Sequence, residues 1–149
     1  MDQKNNPACT YCSNKEVKER EIIGNELAWV FPTNIPIVPG HVLLAPRRCA
    51  AKYEDLTSSE KGAMEDLRLK IKTALQKAFS AEGFNYAWNE SPVAGQSIPH
   101  FHLHMLPRKN GDEGITEYEP RKFLYRPGSR ETTPESELQK VCELIKNYL

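Results

Sequence analysis

Residues 100–107 read His-Phe-His-Leu-His-Met-Leu-Pro, and this alternation decides the architecture. In a β-strand, successive side chains point to opposite faces. His100, His102 and His104 therefore share one face, and Phe101, Leu103 and Met105 share the other. The apolar set belongs in a core beneath a helix, so the imidazoles face a cleft. The chain has four histidines, and three of them fall within five residues. A single histidine on a strand is ordinarily a satisfied core or surface group. Three at strict alternation, backed by an apolar face, point to chemistry.

Working outward, residues 84–90 (FNYAWNE) read as a strand, and residues 91–99 (SPVAGQSIP) as the loop that leads into His100. Residues 26–31 (ELAWVF) and 41–45 (HVLLA) read as two neighbouring antiparallel strands. The connection between them holds three prolines and a glycine, which force a wide, extended turn. Thr57 and Glu60 form a capping-box pattern, and Met64, Leu67, Ile71, Leu75, Ala78 and Phe79 draw one helical stripe that Gly83 ends. A last helix is expected with Thr133 as N-cap, Pro134 at its first position and a stripe of Leu138, Val141, Cys142, Ile145, Tyr148 and Leu149. Residues 13–21 are a short helical turn or a loop. The expected class is α+β, with an antiparallel sheet of about five strands, one long covering helix and a C-terminal helix. Residues 1–8 read as a disordered tail, 9–149 as one domain, and 108–132 as an irregular surface segment.

The chain has 149 residues, 39% of them hydrophobic, which is enough to bury one core. Twenty basic residues balance twenty acidic ones. That balance argues against nucleic-acid binding by phosphate neutralisation and against a disordered chain. No apolar run approaches a membrane span, and residues 1–12 lack the apolar region of a secretory signal, so a soluble cytoplasmic protein is expected. Four cysteines in such a setting are more readily metal ligands or redox groups than disulfides.

Three imidazoles on one strand face can ligate a catalytic metal, or they can act on a phosphate with one ring as nucleophile and another as donor. The flanking residues favour the phosphate. Gly95-Gln96-Ser97 precedes the histidines, where glycine lets backbone N–H groups approach an anion and Ser97 offers a hydroxyl. Asn89 adds an amide donor, and Glu90 is the only acid close by.

GQSIPHFHLHMLPR (residues 95–108) resembles the signature of the histidine triad family, and IPIVPGHVLLAPRR (35–48) resembles its upstream block with a fourth histidine, His41. The likeness covers about residues 9–108. It implies a nucleotide hydrolase or transferase in which His102 attacks an α-phosphate and forms a nucleotidyl-histidine. A backbone carbonyl near His41 would accept a hydrogen bond from the other His102 nitrogen. Asn89, Gly95, Gln96, Ser97 and His104 would hold phosphate oxygens. Phe31 and Leu43 match apolar nucleoside-pocket positions. Thr33 stands where the family ordinarily carries an acid or amide for the ribose, with Asn34 one residue away as a substitute. The loop PRKNGDEG (107–114) resembles the dinucleoside-polyphosphate-cleaving, fragile histidine triad branch. A phosphoramidase or phosphorylase of the same fold, and a nucleotide-binding module with negligible turnover, are the alternatives.

The resemblance also bears on the cysteines. A single Cys9-x-x-Cys12 needs two further ligands. Zinc-bearing family members often have a histidine ligand where Cys49 stands here, and a second ligand at the first triad histidine, His100. Cys9, Cys12, Cys49 and His100 form a closed set suited to a structural zinc, and no organic cofactor is implied. A homodimer is expected from the resemblance, with a nucleotide substrate as the partner and neither nucleic acid nor membrane.

Overall fold

The computed structural model describes residues 6–113 and 131–149. Two short helices, α1 (Thr10–Ser13) and α2 (Lys15–Glu19), lead into β1 (Ile23–Gly24) and β2 (Ala28–Pro32). After the proline-rich connection come β3 (Val42–Pro46), the long helix α3 (Ser58–Phe79) and β4 (Gly83–Ala87). The histidine strand is β5 (Leu103–Arg108), and α4 (Glu135–Lys146) ends the chain. The five strands form one sheet in the order β1-β2-β3-β5-β4, antiparallel throughout. Fold class, sheet and both helices match the expectation.

Every residue of β2 and β3 is buried, because both faces of the sheet are covered there. One face packs Val30, Val42, Leu44, Phe101 and Met105 against Leu67, Ile71 and Leu75 of α3 and Ile145 of α4. The other face packs Trp29, Phe31, Leu43 and Ala45 against Val17 of α2 and the half-buried Tyr11 of α1. So the apolar partners of the histidines do enter the helix-covered core.

Boundaries differ where side chains and proline override the apolar pattern. The strand expected from His100 begins at Leu103, because the amide of His100 turns back to Ile98 O (2.7 Å) and that of Phe101 goes to Ala50 O (2.6 Å). The strand expected from Glu26 begins at Ala28, because Oδ1 of Asn25 accepts the N–H groups of Leu27 and Ala28 and makes the β1–β2 turn. Helix α3 stops at Ser80, in the left-handed conformation, and Gly83 opens β4 instead. The N-cap of α4 is Pro134 rather than Thr133, whose amide is taken by Asn34 O (2.8 Å). Tyr148 and Leu149 lie beyond that helix and are exposed. Of the expected tail, Asn6–Ala8 are described and form a turn onto Cys9. Residues 1–5 and 114–130 of the two irregular segments lie outside the described residues.

The capping box of α3 is present in both directions, and its Glu60 does more than cap. The carboxylate is buried and takes two bonds from Arg48, at 2.8 and 3.1 Å, besides the Thr57 N–H at 2.9 Å. This ties the start of α3 to the segment that carries Cys49. Burial by itself raises the Glu60 pKa, but the Arg48 guanidinium and the Thr57 amide outweigh it and leave it below its ordinary value. The stabilisation is therefore complete above the unfolded carboxyl pKa of about 4.3 and is lost as the pH falls through the lower native value. Glu60→Gln is expected to cost about 1–3 kcal/mol at pH 7, because Arg48 loses a charged partner. Urea melts of both proteins at neutral pH and below the carboxyl range should show the gap closing on acidification. An unchanged gap would mean that the pair contributes nothing through its charge.

Candidate active site

Adjacent strands bring Phe31 of β2, Leu43 of β3, His104 of β5 and Ala87 of β4 into one row across the sheet. Gly40, at φ +87°, makes the turn into His41 just before β3, and a Cβ there would meet the Phe79 ring at 2.8 Å. His41, His100, His102 and His104 are all buried.

The hydrogen bonds define the tautomer of each ring. His102 Nδ1 donates to the carbonyl of His100 (2.8 Å), so its Nε2 carries the lone pair. The expected acceptor near His41 is thereby corrected: the carbonyl lies two residues before His102 on its own segment, because the chain turns there before β5 begins. Burial pulls the His102 pKa down to about 4, so the ring is neutral at physiological pH. His41 has a different task. Its Nδ1 accepts the Ile37 N–H (3.1 Å), which leaves the proton on Nε2, and this faces His104 Nδ1 at 2.9 Å. His104, neutral and accepting at Nδ1, then carries its proton on Nε2 as a donor.

His100 turns away from the other two. Its Nε2 donates to Pro46 O (2.7 Å), and its Nδ1 faces the sulfurs of Cys9 and Cys12 at 3.4 and 3.6 Å. Ligand atoms of Cys9, Cys12, Cys49 and His100 all lie within 4.8 Å of one another. A tetrahedral zinc with ordinary bond lengths separates a sulfur and a nitrogen ligand by about 3.6 Å, which these distances match. Burial raises the pKa of Cys9, and burial and the neighbouring thiols raise that of Cys49 to about 12. Thiols held this way become thiolates readily only beside a cation, and the donor set suits one. All four expected ligands are thus brought together. Cys142 is buried on α4, as a plain core residue should be.

The anion loop is only partly as expected. Asn89 donates to Gly95 O at 3.5 Å, Gly95 adopts φ +99°, and Ser97 is exposed. The carboxamide of Gln96 is engaged elsewhere: Oε1 accepts the Ser91 N–H (3.1 Å), and Nε2 donates to Ala51 O (2.8 Å). Gln96 therefore departs from its expected place among the phosphate donors, because its two ends are held by backbone. Thr33 is buried, its hydroxyl taking the Ile35 N–H (3.3 Å), while Asn34 is exposed. Tyr11 carries no sequence signal beyond its place between two cysteines. Yet its ring packs on Phe31, His100 and His102, with centroids 5.1, 5.7 and 5.2 Å away.

A model of the HIT domain matches residues 14–111. The chain belongs to the HIT family. It is 35% identical over 106 residues to an asymmetrical bis(5'-nucleosyl)-tetraphosphatase of Schizosaccharomyces pombe, covering 71% of this chain and 58% of that one. It is 29% identical over 143 residues to a bis(5'-adenosyl)-triphosphatase of Dictyostelium discoideum, covering 92% and 91%. The chain spans little more than half the length of the S. pombe protein and of an Arabidopsis thaliana relative. Among solved structures, a zinc-bound histidine triad protein of Mycobacterium smegmatis superposes with a TM-score of 0.70 at 22% identity, over 95% of this chain and 92% of that one. This HIT sheet and its helices are therefore those of a known fold.

Proposed function

We propose that this HIT protein hydrolyses dinucleoside polyphosphates, or transfers a nucleotidyl group from them, through a covalent intermediate on His102. The observation that carries this reading is the His102 Nδ1 bond to the His100 carbonyl, which leaves a neutral ring with its Nε2 lone pair available. In the first step Nε2 attacks the α-phosphorus, the P–O bond to the leaving group breaks, and a P–N bond forms. The ring becomes cationic as that bond forms, so its Nδ1–H to carbonyl bond strengthens in the transition state. His104, held by His41, donates to a phosphoryl oxygen, alongside Asn89 and Ser97, while the N–H expected from Gly95 is taken by Pro92 O (3.0 Å). Water then attacks phosphorus, the P–N bond breaks, and a nucleoside monophosphate leaves. Phe31 and Leu43 are the expected nucleoside contacts, although both are buried here beneath Val17 and Tyr11, with Thr33 or Asn34 toward the ribose.

Cys9, Cys12, Cys49 and His100 are the residues that hold a structural zinc in this reading. The zinc-bound relative of like fold supports it. The ion supplies a cross-link between α1 and the segment before β5. The reading includes a homodimer in the cytoplasm. The outer edge of β4, with Tyr86 and Trp88 exposed beside it, favours a second copy. Among the described residues no helix is long and apolar enough to cross a membrane. The named activities of the relatives support the substrate class.

Rapid-quench single turnover with labelled diadenosine triphosphate tests the reading. Label on His102, followed by release of AMP, is the expected result. Tight AMP binding with no label would identify a nucleotide-binding module instead. Release of AMP only from an amine-linked nucleotide, or of a nucleoside diphosphate when inorganic phosphate is the acceptor, would identify a phosphoramidase or a phosphorylase.

A further inference from the structure

Ser80 and Ser91 are the non-glycine residues with positive φ among those described. Ser80, at φ 54° and ψ 39°, is an ordinary left-handed helix cap. Ser91, at φ 72° and ψ 153°, lies in a region that is essentially reserved for glycine. Such a conformation persists only where its surroundings over-determine it.

Gln96 supplies those surroundings. The Ser91 N–H donates to Gln96 Oε1, and the Gln96 N–H donates back to Ser91 O, both at 3.1 Å. These two bonds close a ring around Pro92–Gly95. The other end of the same carboxamide donates to Ala51 O at 2.8 Å, and the preceding carbonyl, Ala50 O, takes the Phe101 N–H. The side chain is buried, so neither bond is readily replaced by bulk water. Asn89 and Gly95 touch each other across the mouth of this ring.

We propose that Gln96 is a positioning residue, whose carboxamide holds Ser91 in a glycine-only conformation and thereby shapes the Asn89–Ser97 loop around the phosphate. The inference rests on the reading of that loop as the anion site. It assigns Gln96 a role away from the substrate. It also makes Ser91 the residue whose strain creates the need for the brace, since glycine at position 91 adopts the same backbone angles without help.

A double-mutant cycle of Gln96→Ala and Ser91→Gly tests this, read by thermal melts and by kinetics with diadenosine triphosphate below all the melting temperatures. Gln96→Ala should lower kcat/KM by roughly 10- to 100-fold through misplaced donors, with the loss falling on kcat more than on KM. Ser91→Gly alone should raise the melting temperature. In the double variant kcat/KM should return to within a few-fold of that of Ser91→Gly, and Gln96→Ala should cost less in melting temperature than it does in the wild type. A double variant as impaired in kcat as Gln96→Ala alone would mean that Gln96 acts directly on the substrate, and would overturn the proposal. If the wild type itself turns over no nucleotide, the reading of the anion site fails, but the melts still judge the brace. Equal costs of Gln96→Ala in the two backgrounds would then refute it.

Discussion

His102→Asn is expected to reduce turnover of a dinucleoside polyphosphate by roughly 10⁴-fold or more, because it deletes the atom proposed to bond to phosphorus. Losing one donor from an anion site costs far less, about 10²- to 10³-fold. Asparagine retains an N–H that can reach the His100 carbonyl, so the buried polar bond on that side is preserved. Binding of AMP should survive, since the proposed nucleoside contacts Phe31 and Leu43 and the pair of His41 and His104 are untouched. Steady-state kinetics and equilibrium AMP binding on the same preparation separate the two effects. A variant that retained a near-normal rate would remove His102 from the chemistry.

The second large effect concerns the cysteine cluster. Cys9→Ser or Cys12→Ser should lower bound zinc and destabilise the fold, and prolonged chelation of the wild type should do the same. Cys9 and Cys12 flank Tyr11, whose ring rests on His102, and His100 offers its carbonyl to His102 while turning Nδ1 toward the sulfurs. With a metal bound, the cluster would join α1 to the segment that orients His102. A loss of about 4 kcal/mol, a fraction of the binding free energy of a structural zinc, lowers the melting temperature of a domain of this size by roughly 8–16 °C. Elemental analysis and calorimetry check this together. Metal-free wild-type protein that melts at the same temperature as metal-loaded protein would rule the structural zinc out.

Periodicity carried the secondary structure well where one strong pattern acted alone. The capping box of Thr57 and Glu60 needs only four consecutive residues, and α3 begins just after Thr57 as that pattern requires. Its stripe packs as expected at Met64, Leu67, Ile71 and Leu75, joined by Ala74, while Ala78 and Phe79 are only half-buried near the end. Element ends were less legible where a distant group takes the terminal amide. Asn34 O takes the Thr133 N–H, and Ala50 O takes that of Phe101. Neither pairing leaves a mark in the local sequence.

The site divides along the same line. The histidine alternation and the spacing of Cys9 and Cys12 are properties of the chain itself, since residues two apart on an extended segment, or three apart on a turn, share a side whatever surrounds them. From these, with the capping box and the apolar stripes, the sequence determined the sheet, the covering helices, the row of imidazoles and the Cys9–Cys12 pair. Proton positions are another matter. That His102 donates to His100, that His41 directs the proton of His104, and that the Gln96 carboxamide bonds to Ser91 and Ala51 were decided by the tertiary structure alone. A hydrogen bond depends on direction and on a partner brought close by packing, whereas a pattern of residue types records only which face each side chain takes.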